Sequence, residues 1–126
     1  INQKSIKNHL QQSLHLLSER ISPDYRNAMK EAISAVEVAC QVFASKSGAS
    51  LGDCLKVVKT KHPIHPALEK SLTSLYGYTS DSGGIRHALT DGTEHPTFAD
   101  AKFLLVSCTA FINYLWTIAA EAGNSQ

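Results

Sequence analysis

The side chains best suited to chemistry gather between residues 76 and 95: Tyr76 and Tyr78, then Arg86 and His87, then Asp91 and His95. A guanidinium can clamp two phosphate oxygens, and an imidazole titrating near neutrality can move a proton to or from a ribose hydroxyl. Arg86 beside His87, with Asp91 or His95 as auxiliary, therefore has the residue types for metal-free RNA cleavage. Asp91 is charged at pH 7 and repels phosphate unless it acts as a base or orients His87. A plainer alternative stays open, in which Arg86 pairs with Asp91 or Asp81 and pins a loop. Signatures of other chemistries do not occur: there is no Gly-rich phosphate loop, H-E-x-x-H, G-x-S-x-G or EF-hand loop.

A second candidate is the acid-free run between Asp53 and Glu69, where Lys56, Lys59 and Lys61 accompany His62 and His65. Such a strip can contact a nucleic-acid backbone, or it is simply a solvated helix face. His62 and His65 stand three apart, but Pro63 and Pro66 disrupt the helical geometry that a metal pair would use, so neither metal nor cofactor is expected. The cysteines Cys40, Cys54 and Cys108 are odd in number and lack C-x-x-C spacing. Neither a disulfide framework nor a cysteine zinc site is suggested, and a reducing cytoplasm fits best. Cys40 and Cys108 fall on apolar faces and are expected to be buried, leaving Cys54 as the exposed thiol.

The elements that must position these groups are helical, because apolar residues recur at three and four rather than at two. Ile6, Leu10, Leu14, Leu17 and Ile21 form the stripe of a first helix. Ser22-Pro23-Asp24 starts a second, with Met29, Ala32, Ile33, Val36, Cys40 and Phe43 on one face and Gly48 as a left-handed stop. A short helix opens near Ser50, and another follows His65-Pro66. Residues 79–84 form a turn-rich loop, the short Ile85–Leu89 segment precedes a second polar loop, and the last helix starts at Thr97, where Asp100 completes a capping box. Apolar residues wrap most of that helix, which predicts a bundle centre or a surface shared with a second subunit. Ser107, Thr109, Asn113 and Thr117 interrupt it, and its continuous apolar stretch falls below the roughly 20 residues of a membrane span, so no membrane is expected. The tail 123–126 should fray.

One all-α bundle of about five helices is the predicted fold, a single domain over residues 1–126 with the second and last helices at its centre. The 126 residues, 43% of them hydrophobic, suffice for one core. Twelve basic against eleven acidic residues give a net charge of +1, which argues against disorder and provides no global basic footprint. The polar start Asn2-Gln3-Lys4 does not resemble a signal peptide, and Ile1 in place of an initiator Met predicts a segment of a longer protein.

The stretches Ile64–Leu68, Leu75–Asp81, Gly84–Leu89 and Asp100–Leu115 together resemble the C-terminal domain of bacterial abortive-infection proteins, domains similar to the HEPN superfamily. The resemblance implies an all-helical bundle, often a homodimer, in toxins and phage-defence proteins whose active members are metal-independent RNases. That family's motif is an Arg, a polar residue, and a His a few positions on, with two copies meeting across the dimer. Arg86 matches the Arg and His87 the polar position; Asp91 stands where the His is expected, and His95 lies beyond the usual spacing. Two functions follow as expectations. The first is a phage-defence RNase, or an RNA- or nucleotide-binding toxin module, using Arg86 and His87. The second is a non-catalytic dimerisation or sensing module that regulates an N-terminal effector. Both imply a homodimer through the C-terminal helix.

Overall fold

Two helix starts are set by neighbours three residues apart. The Asp53 N–H donates to Ser50 Oγ (3.2 Å) and the Ser50 N–H to Asp53 Oδ2 (3.0 Å). Thr97 and Asp100 repeat the exchange at 3.3 and 2.9 Å. Each box satisfies donors that the first helical turn leaves free; the Thr97 box and the helix start at Ser50 stand where the sequence predicts them, and the box at Ser50 is an added finding.

The computed structural model describes residues 2–79 and 85–124. These form six helices with no strand among the described residues: α1 (Asn2–Ser18), α2 (Tyr25–Ala44), α3 (Leu51–Lys59), α4 (Pro66–Thr79), α5 (Ile85–Asp91) and α6 (Phe98–Asn124). The count exceeds the expected five because the short segment after the turn-rich loop forms a helix of its own, α5. Residues 80–84 of that loop, Asp81 included, lie outside the described residues, as do residues 125–126 of the tail.

α2 is the hub, in contact with α1, α3, α5 and α6. Its Ala28, Ala32, Ala35 and Ala39 are fully or nearly fully buried, and such small side chains let neighbouring backbones approach closely. α1 uses this space. Ser13, wholly buried, donates from Oγ to the Ala28 carbonyl at 2.6 Å, and His9 Nδ1 lies 2.5 Å from Glu31 Oε2.

The face of α1 turned to the core is therefore Ile6, Ser13 and Leu17, with Leu10 half-buried. Leu14 is exposed, and Ile21 lies past the end of α1, 93% exposed. The predicted stripe counted every helically spaced leucine and isoleucine, whereas the true face includes a serine. The start of α2 also moves: Asp24, not Ser22, is the cap, accepting from the Asn27 N–H at 3.1 Å. α2 stops at Ser45, which takes the left-handed conformation (φ 51°) expected of Gly48; Gly48 (φ 72°) falls in the following turn.

Met29, Ile33, Leu55, Leu89, Leu104 and Leu115 fill the centre of the core. Cys54 joins them as a buried thiol, correcting its expected exposure: it faces α2 from the inner side of α3. α6 is longer than its apolar stretch suggests. Its segment Phe98–Glu121 spans 24 residues and contains an 18-residue window with a mean hydropathy of 1.7, long and apolar enough by length and composition to cross a membrane, and 39% of that window is buried inside the bundle. The core helix of a soluble protein passes the same test of length and composition.

Candidate functional site

α5 is seven residues long and is anchored by the fully buried Leu89, with its contacts chiefly on α2 and α4. Successive side chains on a helix diverge by about 100°, so Arg86 and His87 point different ways from one anchor. Arg86 Nη1 donates to Glu37 Oε1 of α2 in a short ion pair, with the two side chains only 26% and 34% exposed. His87, 72% exposed, places Nε2 3.1 Å from Asp91 Oδ2 one turn further along. Asp91 thus orients His87, one of the roles its position allows, and it is not the partner of Arg86 shown here.

His95 goes elsewhere. Its Nδ1 lies 3.5 Å from Arg26 Nη2 at the start of α2, and that guanidinium nitrogen donates to the Glu94 carbonyl at 2.8 Å. The Arg26 Nε is buried and has no hydrogen-bond partner among the described residues. Tyr78 is exposed at the end of α4; partial burial of its hydroxyl, then Asp100 and Glu94 nearby, push its pKa above the usual phenol value. The four predicted catalytic side chains accordingly fall into three arrangements: Arg86 with Glu37, His87 with Asp91, and His95 with Arg26. Sequence reasoning missed Glu37 and Arg26. No local signal pointed to them, since Glu37 lies 49 residues from Arg86 and Arg26 lies 69 from His95.

The basic strip is also divided. Lys59 Nζ lies 2.9 Å from Glu69 Oε2, so the acid that bounds the strip in sequence folds back onto it. Lys56 and Lys61 are exposed. His65 Nδ1 accepts the Ala67 N–H at 3.0 Å and caps α4, while the ring of His62 packs edge-on to Tyr114 with centroids 6.4 Å apart. Among the described residues no group of three His, Cys, Asp or Glu side chains converges to hold a metal ion.

Cys40 and Cys54 are buried thiols on packed helices. The hydrogen bond that Cys40 donates to Cys54, then burial, push Cys40 far above the ordinary thiol range, and the negative charges of Cys54 and Glu37 add to the effect. Burial alone pushes Cys108 up to about 12. Cys40 and Cys108 therefore stay protonated, while the hydrogen bond from Cys40 lowers Cys54 against the effect of its burial.

A different surface is open. A recess of about 690 Å³ runs between α1 and α6, walled by Ile6, Leu10, Leu14, Val106, Ala110 and Trp116. Val106 on its wall is 59% exposed, and Phe103, three residues earlier on α6, is 62% exposed. No family model, curated protein or solved structure matches the chain.

Proposed function

We propose that this chain is a non-catalytic helical interaction module of the abortive-infection C-terminal type, acting through the face formed by α1 and α6. The observation that carries this reading is the pairing of Arg86 with Glu37. A guanidinium neutralised by a carboxylate from its own chain is a poor phosphate clamp, since binding an anion requires displacing the carboxylate first. The apolar α1–α6 recess, by contrast, needs only a partner to cover it. In this reading α5 braces α2 against α4, and the module regulates or positions an effector elsewhere in a longer protein.

One observation favours a second reading, the metal-independent RNase. His87 is open to solvent and oriented by a carboxylate, as a general base should be. Its neighbour Arg86 is paired with Glu37. Incubating total RNA with the protein in EDTA separates the two, with Arg86→Ala and His87→Ala as controls. The interaction reading predicts intact RNA in every lane; cleavage that disappears in both variants overturns it in favour of the RNase.

A further inference from the structure

The chain leaves α2 at Ser45 and enters α3 at the Ser50 cap. Cys40 stands five residues before the first boundary and Cys54 four residues after the second, about one helical turn from the connection in each case. Residues at equal depth on two helices joined by a short turn are placed to meet. These two do meet: both have no exposed surface, and the Cys40 thiol donates its hydrogen to the Cys54 sulfur.

The connection between them is tied down. The Lys46 N–H donates to the Gln41 carbonyl at 3.1 Å and the Ala49 N–H to the Lys46 carbonyl at 3.2 Å, and Ala49 itself is buried. The Ser50–Asp53 box fixes the first turn of α3, and Lys46 Nζ lies 3.8 Å from Asp53 Oδ2 across the turn. Thiol against thiol, on two helices whose junction is held, is an arrangement from which a disulfide forms with little backbone movement.

We propose that Cys40 and Cys54 are an oxidation site of this chain, at which hydrogen peroxide converts the two thiols into one disulfide joining α2 to α3. The two sulfurs have different parts. The hydrogen bond from Cys40 lowers the Cys54 pKa against the effect of burial, and Cys54 also lies toward the positive end of α3, so Cys54 is the nucleophile. Its thiolate attacks one oxygen of the peroxide, the O–O bond breaks, and Cys54 becomes a sulfenic acid. The departing hydroxide takes up the proton that the Cys54 thiol released. The Cys40 sulfur, already beside it, then attacks the sulfenic sulfur; the S–O bond breaks, and the Cys40 proton leaves with the hydroxide as water. Two thiols and one peroxide thus give one disulfide and two waters, the peroxide accepting both electrons. The first step opens the second, because it removes the thiolate that, with burial, holds Cys40 protonated.

Burial selects the oxidant. A pair with no exposed surface excludes bulky reagents, whereas hydrogen peroxide is little larger than water and enters when α3 loosens. α3 is nine residues long and packs chiefly on α2 and α4, so it is a short element to open. In a compartment kept reduced, such a disulfide is transient and serves as a sensor, not as a permanent brace.

Mass spectrometry of the reduced full chain, treated with hydrogen peroxide in native buffer, tests the assignment. The expected product has lost two hydrogens, shows a Cys40–Cys54 disulfide in non-reducing peptide maps, keeps Cys108 as a thiol and regains its starting mass in dithiothreitol. Because the bond closes the ring from residue 40 to residue 54, the unfolding equilibrium in urea is expected to shift about 100-fold toward the folded state. Cys40→Ser is expected to stop at the Cys54 sulfenic acid, trapped by dimedone, and Cys54→Ser to leave Cys40 unreacted. Unchanged thiols in the wild-type chain, or a bond that includes Cys108 or joins two chains, overturns the inference, and neither result depends on a variant folding. Oxidation of Cys40 in the absence of Cys54 overturns the division of roles.

Discussion

Replacing Arg86 and Glu37 singly and together measures how firmly the guanidinium is held. Their side chains are 26% and 34% exposed, which places the pair between the surface and buried regimes. Exposed ion pairs are worth about 0–1 kcal/mol, and breaking a fully buried one costs about 3–5 kcal/mol. At this partial exposure Glu37 can regain water once Arg86 is gone, so each single loss should cost about 1 kcal/mol. Glu37→Gln, Arg86→Met and the double variant form a cycle in which urea unfolding at pH 7 should give a coupling of about 1 kcal/mol at unchanged m. Each single variant should lower Tm by about 3–5 °C. A coupling below about 0.3 kcal/mol, within the error of additivity, would refute the reasoning, because Arg86 would then not be held by Glu37 in solution.

The remaining tests concern packing and caps. Hydrogen bonds from Ser50 hold Asp53 below the ordinary carboxylate value of 3.8, with Lys46 assisting, and those from Thr97 do the same for Asp100. A carboxylate whose folded pKa is depressed contributes stability that is present above its unfolded pKa and is lost as pH falls through the lower folded value. Asp53→Asn and Asp100→Asn should therefore flatten the acid limb of a stability–pH profile measured by circular dichroism, and an unchanged limb counts against both caps. Ellman's reagent should label none of the three cysteines in the native protein and all of them in urea; rapid native labelling of Cys54 would show that α3 does not face α2 as described. Leu104→Ala should cost about 3 kcal/mol in denaturant unfolding, while Ile21→Ser stays within about 0.5 kcal/mol, and comparable losses at both sites would mean that the buried face has been misplaced.

What could be read from the sequence was local. The box at Thr97 depends on a partner three residues away, the helix start at Ser50 on its local residue types, and the face of α2 on a strict helical period, so these stand as predicted. The face of α1 was misread because Ser13 takes a core position for its hydrogen bond to Ala28, a contact made across 15 residues. The same limit governed the candidate site. The adjacency of Arg86 and His87 suggested one shared function, but neighbours on a helix diverge, and their partners are decided by where α2 and the next turn of α5 lie. Cys54 looked exposed for want of a neighbour in sequence, and its neighbour Cys40 is supplied by folding. The exposed flank of α6 had a partial signal in a helix apolar around most of its circumference. Which flank stays open depended on where α1 and α2 pack.

The account's central claim, that the chain works through the α1–α6 face and not through the polar groups of α5, is most directly tested by amide mapping in two-dimensional NMR spectra, over a dilution series and with a short RNA added in EDTA. Dilution should shift amides between residues 3 and 14 and between 103 and 120, while RNA leaves residues 85–95 unmoved. RNA-dependent shifts centred on Arg86 and His87, with α1 and α6 insensitive to dilution, would contradict it.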